Sequence, residues 1–201
     1  MEKLQALAQT LEKKGFRAMY CATREEARQI VLSEIKNNET VGIGGSVSIQ
    51  ELDLLNALAE KSCPVYWHWL PADDVQEMRT LAARADVYLC STNALTNDGE
   101  LINIDGSGNR VASMFFGPGR NIIVVGKNKI APDYENAMKR IKEVACPKNA
   151  VRLNLPTPCA KTGKCANCAS ESRMCKITTI ISHAPQGRDM YIILVDEELG
   201  Y

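Results

Sequence analysis

Three short runs constrain the fold of this chain: TVGIGG (40–45), DVYLCS (86–91) and NIIVVG (121–126). Each is too short for an ordinary helix and apolar at most positions. TVGIGG and NIIVVG read as strands buried on both faces, because a strand with one wet face would alternate polar and apolar residues. Helical patterns lie between the strand runs. Leu4, Leu7, Ala8 and Leu11 share a helical face that ends at Gly15. Thr23 with Glu26 predicts a capped helix to about Lys36, after the strand candidate FRAMYCA. Ser48 with Glu51 predicts a second capped helix carrying Leu52, Leu55 and Leu58. CPVYWHW is a strand candidate, and DDVQEMRTLAARA is a helix candidate with acids in its first turn. Short strands are expected at ELINI and RVASMFF. APDYENAMKRIKEVA is expected to be a helix with Pro132 in its first turn. Strands that alternate with helices imply right-handed crossovers and an α/β fold with a mainly parallel sheet flanked by helices. The rhythm breaks near residue 156. A cysteine-rich loop follows, and KITTIISH and DMYIILVDE are expected to close the chain as a β-hairpin. The expected organisation is an α/β domain over 1–155, with 156–201 packed on it.

Bulk composition excludes several functions. The chain has 201 residues, 24 basic and 24 acidic, so no electrostatic footprint for nucleic acid or an anionic membrane is expected. No apolar run is long enough to span a bilayer, and the first residues have no signal-peptide pattern. A cytoplasmic protein is expected, with a homodimer as the base-rate assembly.

Two stretches carry candidate ligand chemistry. In the first, Gly42, Gly44, Gly45 and Ser46 form a glycine turn between a strand and a helix, where backbone N–H groups can hold an anion. The pattern matches neither the dinucleotide nor the P-loop fingerprint. It can equally be a tight bend. The second, STNALTNDGELINIDGSGNR (91–110), follows a strand, which places it at the carboxyl edge of the sheet where open α/β sheets bind ligands. Thr92, Asn93, Asp105, Asn109 and Arg110 are its candidate ligand contacts, with Arg110 suited to a carboxylate. Asp98 and Glu100 are candidate general bases, although NDG alone is also an ordinary turn. A small anionic metabolite fits this set.

The chain has eight cysteines. Cys21, Cys63, Cys90 and Cys146 are scattered and are expected to be small buried hydrophobes. Cys159, Cys165, Cys168 and Cys175 crowd into a polar stretch. Four thiolates can hold a zinc ion or an Fe–S cluster, so these four are the candidate metal ligands. The alternatives are free thiols or redox disulfides. His68 and His183 lie in strand-like runs and are expected to be structural.

VGIGGSVSIQEL (41–52) and LCSTNALTNDGELINIDGSGNRVASMFFGPGRNIIVVGKNKI (89–130) resemble the LUD domain, the lactate-utilisation family once known as DUF162. The tail, TPCAKTGKC with Cys168 and Cys175, looks like an extension carried by one subgroup of small stand-alone members. The family pattern falls on Gly44, Gly45, Ser46, Thr92, Asn93, Asp98, Gly99, Asp105, Gly106, Asn109, Arg110, Gly117 and Pro118. The resemblance implies a fold of the NagB/RpiA/CoA-transferase-like type. It also implies a redox-associated component of lactate or related hydroxy-acid utilisation, working with other redox subunits. Two alternatives stand beside it. One is a self-contained enzyme of the CoA-transferase or sugar-phosphate-isomerase type. The other is a non-catalytic assembly module with structural zinc.

Overall fold

The computed structural model describes residues 2–201. The chain runs α1 (Glu2–Lys13), β1 (Arg17–Cys21), α2 (Arg24–Glu34), β2 (Val41–Ile43), α3 (Val47–Gln50), α4 (Leu55–Glu60), β3 (Val65–Trp67), α5 (Val75–Ala82) and β4 (Val87–Cys90). It continues through β5 (Ala94–Thr96), β6 (Leu101–Asp105), α6 (Asn109–Phe116), β7 (Arg120–Gly126) and β8 (Ile130–Ala131). Then come α7 (Tyr134–Arg140), α8 (Cys146–Arg152), α9 (Pro158–Thr162), β9 (Ile177–Ile181) and β10 (Asp189–Val195). A six-stranded parallel sheet has the order β1-β10-β7-β4-β2-β3, and a second sheet has the order β8-β5-β6-β9.

The apolar strand runs are explained by what covers each face. Val87, Leu89, Ile122, Val124, Tyr191 and Ile193 point into one core with Ala27 and Val31 of α2 and Leu58 of α4. Their neighbours Tyr88, Cys90, Ile123, Val125, Ile192 and Leu194 point the other way, onto Leu7 and Leu11 of α1 and onto Leu95 and Leu101 of the second sheet. Ala94 and Ile102, on the far side of that second sheet, pack against Ala137 and Ile141. The order of layers is helices, parallel sheet, second sheet with α1, then the α7–α8 helix. No helix among the described residues is long and apolar enough to cross a membrane.

Several sequence expectations are corrected. RVASMFF is not a strand but most of α6, because Arg110, Val111, Ser113 and Met114 are buried at helical spacing. The helix expected after Ser48 is two short ones. Ser46 caps α3 by accepting from the Ile49 N–H, and Asp53, at φ 47°, separates α3 from α4. Pro132 precedes α7, whose cap is Asp133. The expected terminal hairpin does not form. β9 pairs antiparallel with β6, whereas β10 inserts between β1 and β7. Burial explains the separation: β10 is covered at nearly every position, while β9 is largely exposed and suits an edge. Residues 156–201 are therefore not an appendage, since they supply a central strand.

Gly42 is part of this packing. A Cβ there would lie 2.2 Å from the Ala82 carbonyl oxygen, so α5 rests directly on the β2 backbone. Gly42→Ala should lower the unfolding free energy by roughly 1–3 kcal/mol, the usual cost of overpacking. Urea denaturation of the two proteins checks this, and equal midpoints would show that α5 can move aside.

Candidate active site

The carboxyl ends of β2, β3, β4 and β7 all open onto one cavity of about 410 Å³. Gly45 and Ser46 follow β2, His68 and Trp69 follow β3, Ser91 and Thr92 follow β4, and Lys129 follows β7. Asp105, Asn109 and Arg110 come from the end of β6 and the start of α6. Arg79 of α5 and Arg152 of α8 complete the basic side of the wall.

Arg110 holds the loops of this edge together. Its guanidinium donates to the Ser91 carbonyl at 3.1 Å, the Asn103 side-chain oxygen at 2.5 Å, the Asn93 side-chain oxygen at 3.0 Å and the Ile104 carbonyl at 2.9 Å. Its Nε lies 3.5 Å from Asp105 Oδ2, with both side chains about nine-tenths buried. The other Asp105 oxygen accepts from the Ser107 and Gly108 N–H groups. Arg110 is therefore committed to the protein, and Asp105, the one acidic side chain among the described residues on the wall, is committed with it.

Lys129 is fully buried, and its Nζ donates to Ser48 Oγ at 2.7 Å and Ser91 Oγ at 2.9 Å. Each serine passes its own proton onward, Ser48 to the Leu199 carbonyl and Ser91 to the Val124 carbonyl. Neither can then donate to the amine. Burial brings the Lys129 pKa down from 10.5 to about 7, and the positive Arg140 and Arg110 push the same way. A neutral Lys129 spends two N–H bonds on the serines and keeps a free lone pair. Burial also lowers the His68 pKa, helped by Arg79 and Arg152, so the imidazole is neutral at neutral pH. Arg79 Nε is buried without a hydrogen-bond partner. Arg152 stacks on Trp69 at 4.3 Å and donates to the Tyr201 hydroxyl.

A family model described as the LUD domain matches residues 4–195. The chain belongs to the LUD domain family. Among solved structures, this LUD domain is similar to a DUF162 family protein from Deinococcus radiodurans, at 16% identity and a TM-score of 0.56, over 96% of both chains. It is more distantly similar to eIF2B delta from Chaetomium thermophilum (10% identity, 58% of this chain and 50% of that one, TM-score 0.37). Ribose 5-phosphate isomerase from Plasmodium falciparum aligns at 17% identity over 62% of this chain and 66% of that one, with a TM-score of 0.33. No curated protein matches it in sequence.

The cavity gathers most of the ligand residues expected from sequence: Gly45, Ser46, Thr92, Asn93, Asp105, Asn109 and Arg110 all line it. Gly42 and Gly44 do not. Gly42 meets Ala82, and Gly44 packs against Tyr88 and Arg110. Asp98 and Glu100 also lie outside it. NDG is the turn of the β5–β6 hairpin, Asp98 is exposed there, and Gly99 faces Leu11 of α1 and Lys14 just after it. The glycine turn feeds a helix of only four residues, so the helix dipole offers little to an anion. The sequence reading missed Lys129, Ser48, Ser91, Arg79 and His68 as a group. Their one shared signal is position: all but Ser48 and Arg79 fall one to three residues past a strand end.

The tail is arranged differently from the four-ligand expectation. Cys159 is buried beside Thr157, Cys165 is exposed, and Cys168 is half-buried with its carbonyl held by Arg173. Cys175 meets Cys146, sulfur to sulfur, at 3.4 Å. Contact with Cys146, aided by Arg173 and Lys142, brings the Cys175 thiol down to about 7, while that contact and burial push Cys146 up.

The buried lysine makes a testable contribution to stability. Between pH 7 and 10.5 the unfolded chain binds a proton at Lys129 that the folded chain does not, so folding becomes more favourable as pH rises through that window. Compared with Lys129→Met, the wild type should gain up to about 1.4 kcal/mol per pH unit there. Urea denaturation across the range tests it; a difference independent of pH would mean that Lys129 titrates normally.

Proposed function

We propose that this LUD domain binds a small carboxylate-bearing hydroxy acid in the cavity and serves as a redox-associated component of lactate or related hydroxy-acid utilisation. The observation that carries the reading is the buried Lys129 held by Ser48 and Ser91 in a wall whose one carboxylate is already paired. Arg79, Arg110 and Arg152 outnumber Asp105 on the wall, which favours an anion. Arg79, with its unsatisfied Nε, supplies the partner for the ligand carboxylate. The lone pair of neutral Lys129 can take the proton of the ligand hydroxyl as the carbon is oxidised, and a pKa near neutrality suits that work. The hydrogen on the same carbon leaves with its bonding electron pair, as hydride, to an acceptor held by other redox subunits.

The reading as a self-contained isomerase has weaker support, because Asp98 and Glu100 are away from the cavity. Thiolate sulfur is suitable donor chemistry for zinc or an Fe–S cluster. Among the described residues, however, no three His, Cys, Asp or Glu groups are gathered as a metal requires.

Calorimetric titration with lactate, longer 2-hydroxy acids, CoA esters and sugar phosphates tests the proposal. A hydroxy acid should bind, and Arg79→Ala should weaken it about tenfold or more, equivalent to about 1.4 kcal/mol. Binding of a CoA ester or sugar phosphate in place of every hydroxy acid would overturn it.

A further inference from the structure

The hydroxy-acid reading leaves two cysteines of the cavity wall without a role. Cys146 opens α8 and Cys175 lies two residues before β9, so chain distance does not bring them together. The fold does, through two independent supports. Ile141–Ala145 is wound as a π-helix between α7 and α8, and the wide turn sits where Pro147 has no N–H to give to the Glu143 carbonyl. This sets the direction in which Cys146 leaves the helix. Cys175 is fixed from the other side. The Lys176 N–H donates to the Asp105 carbonyl, Arg173 Nε donates to the Cys175 carbonyl, and Gly106 admits the Met174 backbone at a distance that a Cβ would block. The two sulfurs face each other at 3.4 Å, and both residues line the cavity. Among the described residues, no other two cysteine sulfurs hydrogen-bond each other. A disulfide bond is about 2.05 Å long. The pair therefore needs to close by roughly 1.4 Å.

We propose that Cys146 and Cys175 are a redox-active dithiol that exchanges two electrons with a small carboxylate-bearing disulfide admitted to the cavity. The carboxylate preference rests on the positive cavity described above; the dithiol rests on the sulfur contact alone. Cys175 is the more exposed of the two and attacks first. Its thiolate bonds to one sulfur of the disulfide, the external S–S bond breaks, and one thiolate leaves with the electron pair and takes a proton from water. Cys146 then gives its proton to water and bonds to Cys175 Sγ. The mixed disulfide breaks, and the second thiolate leaves and is protonated in turn. Two protein thiols are oxidised, and one external disulfide is reduced to two thiols. The new bond would pin the tail to α8.

The test uses the full chain, reduced and freed of reductant without oxygen. It is mixed with oxidised glutathione, which carries carboxylates, or with bis(2-hydroxyethyl) disulfide, which is uncharged. Thiols counted after denaturation should fall by two from eight, and peptide mapping should find the 146–175 link. Cys146→Ser should stall with one glutathione on Cys175, and Cys175→Ser should give no adduct at Cys146. Arg79→Ala should slow the glutathione reaction about tenfold and leave the neutral disulfide unaffected. A wild-type link between other cysteines, or no link, overturns the proposal. So does zinc or iron bound stoichiometrically and lost in Cys175→Ser, because the pair would then be metal ligands. Cross-linking at equal rates with both disulfides, unchanged in Arg79→Ala, would leave the dithiol standing and remove the carboxylate preference.

Discussion

The guanidinium of Arg110 ties the loop after β4 to the end of β6. Its partners are the loop after β4, the side chains of Asn93 and Asn103, and the end of β6. The Asn93 and Asn103 side-chain oxygens also accept from the Ile104 and Asn93 backbone N–H groups, so the guanidinium closes a network that the backbone begins. Together they make the junction between the parallel sheet and the second sheet a single polar unit. Lys129 depends on that unit. Ser91, whose carbonyl Arg110 holds, offers its hydroxyl oxygen to the amine. The positive guanidinium also helps keep the amine near neutrality. One arginine thus holds the shape of the cavity and adds, after burial and Arg140, to what lowers the pKa of Lys129. The same commitment removes it from service as a clamp for a ligand; in the proposed reading that part falls to Arg79.

The cavity draws its residues from several strand ends because the sheet is parallel. Parallel strands deliver all their carboxyl ends to one edge, and short loops there need only a few residues to reach a common centre. β2, β3, β4 and β7 each contribute in this way. The second sheet provides a different wall, since β6 ends at Asp105 and β9 begins just after Cys175. The cysteine tail therefore reaches the cavity as part of a sheet edge, with Met174 against Gly106.

The parallel sheet was legible in the sequence because burial on both faces leaves a pattern that needs no partner to interpret. NIIVVG and DVYLCS could hardly lie elsewhere. Pairing left no such pattern. KITTIISH and DMYIILVDE are adjacent in sequence and separated by a turn, yet their different burial sends them to different sheets. RVASMFF misleads for a related reason: β-branched and aromatic residues suit a strand locally, and only tertiary burial of Arg110, Ser113 and Met114 reveals the helix. In the site, glycines and amides announced themselves by density. Lys129 did not, because a lysine just past an apolar strand reads as an exposed turn residue. Ser48 read as a cap, Cys146 as filler and His68 as part of a strand. Their roles arise from where neighbouring strands end, which is a property of the sheet order and not of any local run.

The position of β10 also bears on how the chain reaches this state. β1, at the amino end, has β10 as its sheet partner, with Arg17 opposite Tyr191. During synthesis the first strand must wait for nearly the whole chain before it can pair, and β7 lacks a neighbour on that side for the same interval. Contacts this distant in sequence slow folding and leave strand edges open to other chains. A ribosome that stalls before residue 189 releases a product with β1 and the β7 edge both unpaired, a form disposed to aggregate and not merely to lose its tail.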